Sequence, residues 1–380
     1  MNHEPDIYPF KFSIITAVYN IAPYLSEAIE SILCQDIGFR ESVELILVDD
    51  GSDDQTRERI REHGKADSRI RLIEMPHCGL AGVMRNEGIR QAKGEYCLFL
   101  DGDDFFEPEM LEHSLRKARE DDADICMFDA RMYYEATKTY KKSNVILKTE
   151  YIPEQIPFEG KSFPYIFNIG TGCPWTKLIR KSLIDENYIE FMALPRFNDV
   201  YFVFLTLALA KRVTILQEVL VNYRQIPTSL QANNTKTPWD WYDSLKTLRE
   251  KLLELGIYSE VETSFRNLAF GVSIYNLCSL KSGESFCQVY DRMKAEFFEE
   301  FDLADFREEE CYSYNAQKYQ IYQNMMKCTA GEYLFLEVQK LKQEKSYWVT
   351  RAKNAEKENK KYSLKKLAIR VAHKIRKQLG

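Results

Sequence analysis

Three aspartates occupy four consecutive positions in the segment EYCLFLDGDDFFEP, which spans residues 95–108. Asp101, Asp103 and Asp104 follow directly on a short apolar run, so their mutual repulsion must be offset by a charge of opposite sign. Mg²⁺ and Mn²⁺ prefer oxygen ligands and commonly bind through one or two carboxylates together with phosphate oxygens. The segment therefore predicts a Mn²⁺ or Mg²⁺ site that carries a diphosphate. A plain surface turn rich in Asp and Gly stays open as the alternative.

The sequence lacks the two glycine-rich patterns that usually hold a phosphate. A dinucleotide-binding fold would carry G-x-G-x-x-G after its first strand, where this chain has TAVYN instead. The pattern G-x-x-x-x-G-K-[ST] does not occur either. A bound diphosphate would therefore be held by the aspartate segment and its cation.

The elements that must position these aspartates are short apolar runs, which alternate with amphipathic segments over the first 130 residues. Strands are predicted over 12–18, 43–50, 70–74, 95–100 and 123–130, and helices over 23–33, 80–92 and 108–120. This alternation predicts an α/β fold with a mainly parallel sheet and helices on both faces. Ligands bind beyond the carboxyl ends of the strands in such sheets, and TAVYN, DDGSDD and DGDD all fall there.

The strand signal fades beyond about residue 231, and the chain becomes predominantly helical. The preceding part predicts a helix over 198–210 and one or two strands over 212–225. Further helices are predicted near 238–256, 258–280, 284–300 and 314–328. We therefore predict an α/β domain over 1–230, a helical domain over 231–330, and a long helix with a basic tail over 331–380.

The composition excludes several classes of protein. A net charge of −6 argues against general nucleic-acid binding. The nine cysteines are scattered and form no C-x-x-C pair, which favours reduced thiols in the cytoplasm over disulfides or a zinc site. The polar amino-terminal sequence has no apolar signal region, and no window holds about 18 uninterrupted apolar residues, so no transmembrane span is expected.

The tail over 363–380 contains six Lys or Arg and no Asp or Glu. In a helix, its apolar residues form one stripe, made of Leu364, Leu367, Ala368, Val371, Ile375 and Leu379. The pattern predicts a helix that lies on an anionic membrane surface, here the inner face of the plasma membrane. Docking on the body or on a second subunit stays open. The preceding segment EYLFLEVQKLKQEKSYW has short heptads that could pair with a partner chain in a homo-oligomer.

Six ordered motifs in residues 12–229 resemble the family 2 glycosyltransferases, which are nucleotide-sugar enzymes with the Rossmann-like fold called GT-A. The motifs are SIITAVYN, LILVDDGSDD, MRNEGIRQAKGEYCLFLDGDD, CPWTKLIRKSLI, FNDVYF and VNYRQIPTSL. Their order and spacing together are specific, and the helical remainder of the chain lies outside the resemblance. The resemblance implies a GT-A catalytic domain over 1–230, followed by a carboxy-terminal helical region.

The resemblance implies a nucleotide-sugar donor site at the carboxyl ends of the first strands. The implied donor-site residues are Thr16, Ala17, Tyr19, Asp50, Arg85, Asp101 and Gly102, with Asp103 as the metal ligand. The carboxylate of Asp50 can accept a hydrogen bond from uracil N3–H, so a UDP-sugar is the leading donor and a dTDP-sugar its nearest rival. Arg85 would contact the phosphates and Asp101 the ribose. Gly102 stands where the family often has Ser.

The base implied by the resemblance is Asp199, which would take the proton of the acceptor hydroxyl. The preceding residue is Asn198, where the family usually has Glu, and this departure leaves the role of that Glu in question. A helix N-cap is the structural alternative for Asp199. Trp175 is assigned to an apolar wall of the sugar pocket, and Lys177 and Arg224 to phosphate contacts. A core Trp with a snorkelling Lys is the alternative for the first two.

Together these inferences predict an inverting, metal-dependent glycosyltransferase. It would move a sugar from a nucleoside diphosphate to a hydroxyl of a glycan or lipid-linked glycan during surface polysaccharide synthesis. One alternative is a glycan- or nucleotide-binding protein that kept the fold and lost turnover. Another is a sugar-phosphate nucleotidyltransferase, which would normally carry a Gly-rich, basic loop in place of TAVYN.

Overall fold

The structure is a computed structural model, and it describes residues 8–35, 42–143, 146–226, 237–311, 316–347, 349–351, 353, 354 and 357. The predicted basic tail over 363–380 lies outside the described residues. Among the helices in these ranges, none combines the length and the apolar content that crossing a bilayer requires.

One half of the sheet is entirely parallel. Its strands are β1 (Phe10–Val18), β2 (Val43–Asp50), β3 (Ile70–Met75) and β4 (Gly94–Phe99). They lie in the order β3-β2-β1-β4. Val18 aligns with Asp49 and Ile15 aligns with Phe99. The chain segments that follow β1, β2 and β4 therefore emerge at the same edge of the sheet.

The other half of the sheet is mixed. Its strands are β5 (Phe105–Phe106), β6 (Ile125–Tyr134), β7 (Thr139–Lys142), β8 (Lys177–Arg180) and β9 (Val213–Gln225). β8 is antiparallel to both β4 and β6, whereas β9 is parallel to β6. β5 follows the aspartate turn directly and pairs with β9, with Phe105 opposite Asn222. This pairing brings the end of β9 next to the aspartates.

Helices cover both faces of the sheet and continue beyond it. Those of the α/β part are α1 (Ala22–Leu33), α2 (Thr56–Ala66), α3 (Ala81–Gln91), α4 (Met110–Glu120), α5 (Lys181–Glu186) and α6 (Asn198–Leu209). Those that follow are α7 (Asp240–Glu254), α8 (Tyr258–Ser279), α9 (Gly283–Arg292), α10 (Phe298–Glu300), α11 (Ala316–Lys327) and α12 (330–347). A π-helical turn over Met293–Phe297 joins α9 to α10.

The alternation of side chains along the strands produces two apolar cores. Ile14 belongs to the core beneath α1, α2 and α4, and its neighbour Ile15 belongs to the core beneath α3, α5 and α6. The second core continues into the helices that follow, where it includes Trp241, Phe265 and Tyr290. The helical region therefore packs on the α/β part through a shared core.

Polar contacts also cross the predicted boundary near residue 230. The backbone N–H of Phe167 donates to Ser264 Oγ at 2.8 Å, and this hydroxyl donates to Asn168 Oδ1 at 2.9 Å. The division of the chain into separate domains stays a prediction.

The predicted fold class is confirmed, with parallel pairing concentrated in the first half and helices following the sheet. Hydrophobic periodicity does not predict α2. The helix has the polar sequence TRERIREHGKA and buries only Thr56 and Ile60. The strand predicted over 123–130 extends to Tyr134, and 213–225 forms one strand. A shift in the β6–β9 register at Asp129 accommodates this length.

Candidate active site

The predicted site segments meet at the carboxyl ends of β1, β2 and β4. The backbone N–H of Leu100 donates to the carbonyl of Ile15 at 3.1 Å, which places the DGDD turn beside TAVYN. A Cβ added at Gly102 would overlap the side chain of Ile21 and lie 3.2 Å from Val18 Cγ1. Gly102 therefore lets the turn lie directly against the chain that leaves β1. A Ser at this position would require Ile21 to move.

Three carboxyl groups share the turn after β4. The backbone N–H of Asp104 donates to the carbonyl of Asp101 at 2.9 Å, and Asp104 is fully buried. Asp104 Oδ1 accepts from the backbone N–H of Arg224 at 2.7 Å, whereas Oδ2 is buried with no partner among the described residues. Burial and the charges of Asp103 and Asp101 hold the pKa of Asp104 well above its ordinary value. Burial and Asp101 likewise raise the pKa of Asp103 to about 6.

This turn fits a divalent cation that is held jointly with a ligand. Raised carboxyl pKa values mean that negative charge here is unfavourable until a cation offsets it. In the part of the chain that the structure describes, no three His, Cys, Asp or Glu side chains converge on a closed metal site. Asp103, with Asp101 beside it, instead offers the one or two carboxylates through which Mg²⁺ binds when phosphate and water complete its coordination.

Arg85 joins the aspartate turn to the start of α6. Its side chain is nearly buried and donates from Nη2 to Asp101 Oδ1 at 2.7 Å and from Nη1 to Asn198 Oδ1 at 2.9 Å. The adjacent Asn86 donates to the carbonyl of Phe191 and accepts from its N–H, both at 2.8 Å. The Arg-Asn pair thus holds the segment before α6 against α3. At Asn198, an amide oxygen is sufficient to accept from Arg85.

Asp199 lies in the first turn of α6, next to this bridge. The preceding Phe197 has φ +55°, a left-handed conformation that is strained for an aromatic residue. Burial raises the pKa of Asp199, with the Arg85 charge acting in the opposite direction and Asp101 adding to the rise. Besides its own backbone N–H, no described residue donates to the Asp199 carboxylate. The carboxylate is therefore available to a ligand hydroxyl.

The predicted nucleotide end of the site is built around Asp50, which is 5% exposed. Its two carboxylate oxygens accept from the backbone N–H groups of Cys78 at 2.7 Å and Gly79 at 2.8 Å. The ring of His77 stacks on Tyr19 with centroids 4.4 Å apart and an angle of 19° between the planes. The result is an aromatic surface beside an acceptor carboxylate, with Tyr19 itself exposed.

The 77–79 loop is the part of this site that sequence reasoning missed. Its available signal was Gly79 between β3 and α3, which has φ +72° and marks a tight turn.

The predicted pocket residues on β1 are less accessible than Tyr19. Thr16 is buried with no partner for Oγ1 among the described residues, and Ala17 is only partly buried.

Lys177 points into the protein. It is fully buried and donates from Nζ to the carbonyls of Thr171 at 2.9 Å and Cys173 at 2.8 Å, and to Thr176 Oγ1 at 3.1 Å. These bonds use all three hydrogens of the ammonium group. Burial lowers the pKa of Lys177 to about 8. The geometry favours the structural alternative for Lys177 over a phosphate contact.

Trp175 and Tyr223 form a stacked pair close to the aspartate turn. Their ring centroids lie 5.3 Å apart with an angle of 23° between the planes, and Trp175 is 4% exposed. Burial, followed by the Asp104 charge, raises the pKa of Tyr223. Most of the Trp175 surface is therefore already covered by neighbouring residues.

Arg224 is also turned inward, and its side chain is 1% exposed. It donates from Nε to the carbonyl of Asp103 at 2.5 Å, from Nη2 to Glu27 at 2.7 Å, and from Nη1 to Glu135. The guanidinium lies within 5.2 Å of the ring centroids of Tyr24, Phe105 and Tyr133. Every nitrogen is thus engaged, which favours a structural role at the turn over the predicted contact with a diphosphate.

Known proteins are similar to this chain in sequence and in fold. The family description "Glycosyl transferase family 2" matches residues 13–187. The Bacillus subtilis protein named putative glycosyltransferase EpsH is 32% identical over 219 residues, which cover 56% of this chain and 60% of EpsH. The chain thus spans less than two thirds of that relative. The cholesterol galactosyltransferase of Borreliella burgdorferi is 27% identical over 283 residues, which cover 73% of this chain and 77% of that protein.

The fold is similar to a solved structure of S. aureus TarS 1–349 in complex with UDP-GlcNAc. The TM-score is 0.61 at 22% identity, and the match covers 77% of this chain and 84% of that chain. At this identity the likeness shows the fold alone.

Proposed function

We infer that this chain belongs to glycosyltransferase family 2, whose family model matches residues 13–187, and we propose that it transfers a sugar from a nucleoside diphosphate to an acceptor hydroxyl. The observation that carries the proposal is the Arg85 bridge between Asp101 and Asn198. It sets the aspartate turn, where a leaving diphosphate would be held, beside Asp199, where an acceptor would be deprotonated. A protein that only binds nucleotides has no need of the second group.

The donor in this proposal is a UDP-sugar. The Tyr19–His77 surface offers a π-face to a base, and Asp50 next to it offers acceptor oxygens to uracil N3–H. Oδ1 accepts one backbone N–H and retains a second lone pair, whereas Oδ2 accepts a backbone N–H and also lies 3.1 Å from Nδ1 of His77. The UDP-GlcNAc in the TarS complex supports this choice.

The leaving diphosphate would be stabilised by positive charge at the aspartate turn. Mn²⁺ or Mg²⁺ bound through Asp103, with Asp101 beside it, would neutralise the charge that develops on the diphosphate. Arg85 fixes the Asp101 carboxylate in place. Electrostatic stabilisation of this kind is usually the largest contribution to catalysis.

Asp199 is the base in the proposed mechanism. Its raised pKa improves the match to an acceptor proton, and its carboxylate is not committed to another described side chain. The acceptor oxygen attacks the anomeric carbon from the face opposite the diphosphate, so the configuration inverts. Base catalysis would contribute roughly 10²–10⁴-fold.

The acceptor proposed here is a glycan or lipid-linked glycan in surface polysaccharide synthesis. We further propose that the chain contacts the membrane peripherally, at the cytoplasmic face, through 363–380. The test is co-sedimentation with anionic vesicles by the full chain and by a chain that ends at 362. Equal binding by both would remove this part of the proposal.

The experiment for the transfer function is a panel of UDP-, dTDP- and GDP-sugars, scored by thermal shift and by donor hydrolysis with and without Mn²⁺. We expect UDP-sugars to bind and to be hydrolysed only with the metal. Asp103→Asn and Asp199→Asn should each abolish hydrolysis, and only Asp103→Asn should weaken metal-dependent UDP binding. Asp185→Asn, at a half-exposed surface ion pair on α5, is the matched control. UDP binding without hydrolysis by the wild type under any condition would favour the binding-protein alternative.

A further inference from the structure

Helix α12 leaves the body of the protein after one anchored turn. Tyr333 is 3% exposed, and its ring centroid lies 5.5 Å from that of Tyr290 and 5.9 Å from that of Phe286. From residue 334 to residue 351, none of the described residues is buried. An isolated helix is marginal in water because its stability comes mainly from packing one face. Among the described residues, none therefore buries the 334–351 part of the chain in the way that would stabilise it.

The exposed part of α12 carries an apolar stripe at heptad spacing. Leu334, Val338 and Leu341 are separated by four and three residues and are 38%, 46% and 62% exposed. They occupy the d, a and d positions of a heptad, and Lys345 takes the next a position. A single Lys at an a position is a known determinant of register and of oligomeric state.

The charges of α12 indicate what covers this stripe. Residues 330–347 contain three Glu and three Lys, so the helix is neutral and has no electrostatic attraction to an anionic membrane. Glu337 and Lys342 flank the stripe at the g and e positions. In a parallel pair of helices, the g residue of one chain faces the e residue five positions later in the other. Glu337 and Lys342 are therefore complementary between two copies of the same helix.

We propose that α12 pairs with α12 of a second copy of this chain in a parallel, two-stranded coiled coil. Leu334, Val338 and Leu341 form its apolar seam, and Glu337 pairs across it with Lys342 of the partner. The interface is separate from the aspartate turn, and the inference does not depend on the proposed transfer activity.

The test is sedimentation velocity of the full chain over a range of concentrations. We expect a species of twice the 44.6 kDa chain mass that dissociates on dilution. The double variant Val338→Gln, Leu341→Gln should raise the dimer dissociation constant by ~100-fold, which corresponds to a tenfold loss at each residue. The matched control is Leu336→Gln, which makes a comparable change at a residue that is 44% exposed and lies away from the stripe. This control should stay dimeric.

A charge exchange separates the proposed pair from other modes of association. Glu337→Lys alone should weaken the dimer, and adding Lys342→Glu should restore it, because the exchanged pair is again complementary. Circular dichroism of each variant confirms that the body stays folded. The inference is overturned by a wild type that is monomeric at ~100 µM, well above the micromolar range of ordinary specific complexes. A double variant that dimerises like the wild type would overturn it equally. So would amide hydrogen exchange in α12 that slows only when anionic vesicles are added.

Discussion

The Asp103 carboxyl is held in a state that destabilises the fold. Burial and the neighbouring Asp101 both oppose its ionised form and raise its pKa from 3.8 to about 6. Because the folded-state pKa exceeds the ordinary value, folding favours the protonated form. Ionisation therefore lowers stability as the pH rises from about 4 to about 6, and the full loss is present above that range. Such an arrangement serves a ligand rather than the fold.

Asp103→Asn should stabilise the protein in the absence of metal at pH 8. The expected gain is on the order of 1–3 kcal/mol, since a rise in the Asp103 pKa from 3.8 to about 6 corresponds to about 3 kcal/mol. Urea denaturation in the presence of a chelator measures it, and the gain should shrink towards pH 4.5, where the wild-type carboxyl is protonated. Asp185→Asn serves as the control and should change little at either pH. A variant less stable than the wild type at pH 8 would contradict this account of Asp103.

Arg224 should matter for stability more than for donor binding. Replacing it with Gln removes the buried cation between Glu27, whose side chain is 52% exposed, and Glu135, and it takes away the donor to the carbonyl of Asp103. The expected loss is about 1–3 kcal/mol in urea denaturation, which is the cost of leaving a buried hydrogen-bonding group without its partner. Arg224→Lys keeps the charge without the planar fork of donors and should lose less.

The control for Arg224 is Arg90→Gln, whose side chain is 54% exposed and pairs with Glu87 on the surface. That change should cost less than about 1 kcal/mol. If Arg224→Gln kept full stability and lost only UDP affinity, the sequence-based assignment to the diphosphate would be right and the structural role wrong.

The sequence could identify residues of the site but not the direction of their side chains. The order of the motifs places Arg85, Asp101 and Asp199 near one another. Asp101 follows β4, Arg85 lies in the first half of α3, and Asp199 lies in the first turn of α6. Lys177 and Arg224 belong to the same motifs and point inward. The direction of Arg224 depends on acids from distant parts of the chain, such as Glu27, whereas that of Lys177 depends on the conformation of the preceding loop, whose Thr171 and Cys173 carbonyls accept from it. Nothing in the local spacing encodes those partners.

Helix α3 connects the aspartate turn to the start of α6, where Asp199 lies. It carries Arg85 and Asn86, and its glycines permit close packing against two neighbours. A Cβ at Gly82 would overlap the carbonyl oxygen of Met192 and lie 3.2 Å from Asn198 Cβ. A Cβ at Gly88 would overlap the side chain of Ile15 on β1. The absence of a side chain at Gly82 sets the distance between α3 and the start of α6, and its absence at Gly88 sets the distance between α3 and β1.

Gly82→Ala should therefore reduce activity by moving the 191–198 segment away from α3. Overlap with a backbone carbonyl cannot be relieved by a side-chain rotation, so we expect a loss of about 1–3 kcal/mol in stability. Hydrolysis of the donor should fall further than UDP binding, because Asp199 moves with that segment while Asp50 does not. Urea denaturation, titration with UDP and a hydrolysis assay measure the three quantities.

The matched control is Gly64→Ala in α2, where the nearest atom to the added Cβ is the Ile70 carbonyl oxygen at an ordinary 3.6 Å. Here the better helix propensity of Ala should stabilise the protein by up to about 1 kcal/mol. Equal effects of the two changes on hydrolysis would show that the spacing of α3 does not matter.

At the scale of the whole molecule, the sequence predicted the elements better than their grouping. Hydrophobic periodicity predicted the bounds of β1, β2, β4 and α8 to within one or two residues, because each element has a continuous or amphipathic apolar pattern. It could not show what those apolar faces pack against. Trp241 on α7 and Phe202 on α6 belong to one core, although the predicted boundary near residue 230 lies between them. An apolar residue in the sequence indicates that its side chain is buried, but it does not indicate which element covers it.

This shared core predicts one cooperative unfolding transition rather than two. Trp175 in the α/β part and Trp241 in the helical part are both buried, so the fluorescence of each should change when its surroundings unfold. In urea, Trp175→Phe and Trp241→Phe should each show the same midpoint by fluorescence and by far-UV circular dichroism, because separating the two parts would expose the common core to water. Two resolved transitions by far-UV circular dichroism would instead establish a helical domain that folds independently of the sheet. In that case the hydrogen bonds that join Phe167 and Asn168 to Ser264 of α8 would have to contribute little to the stability of either part.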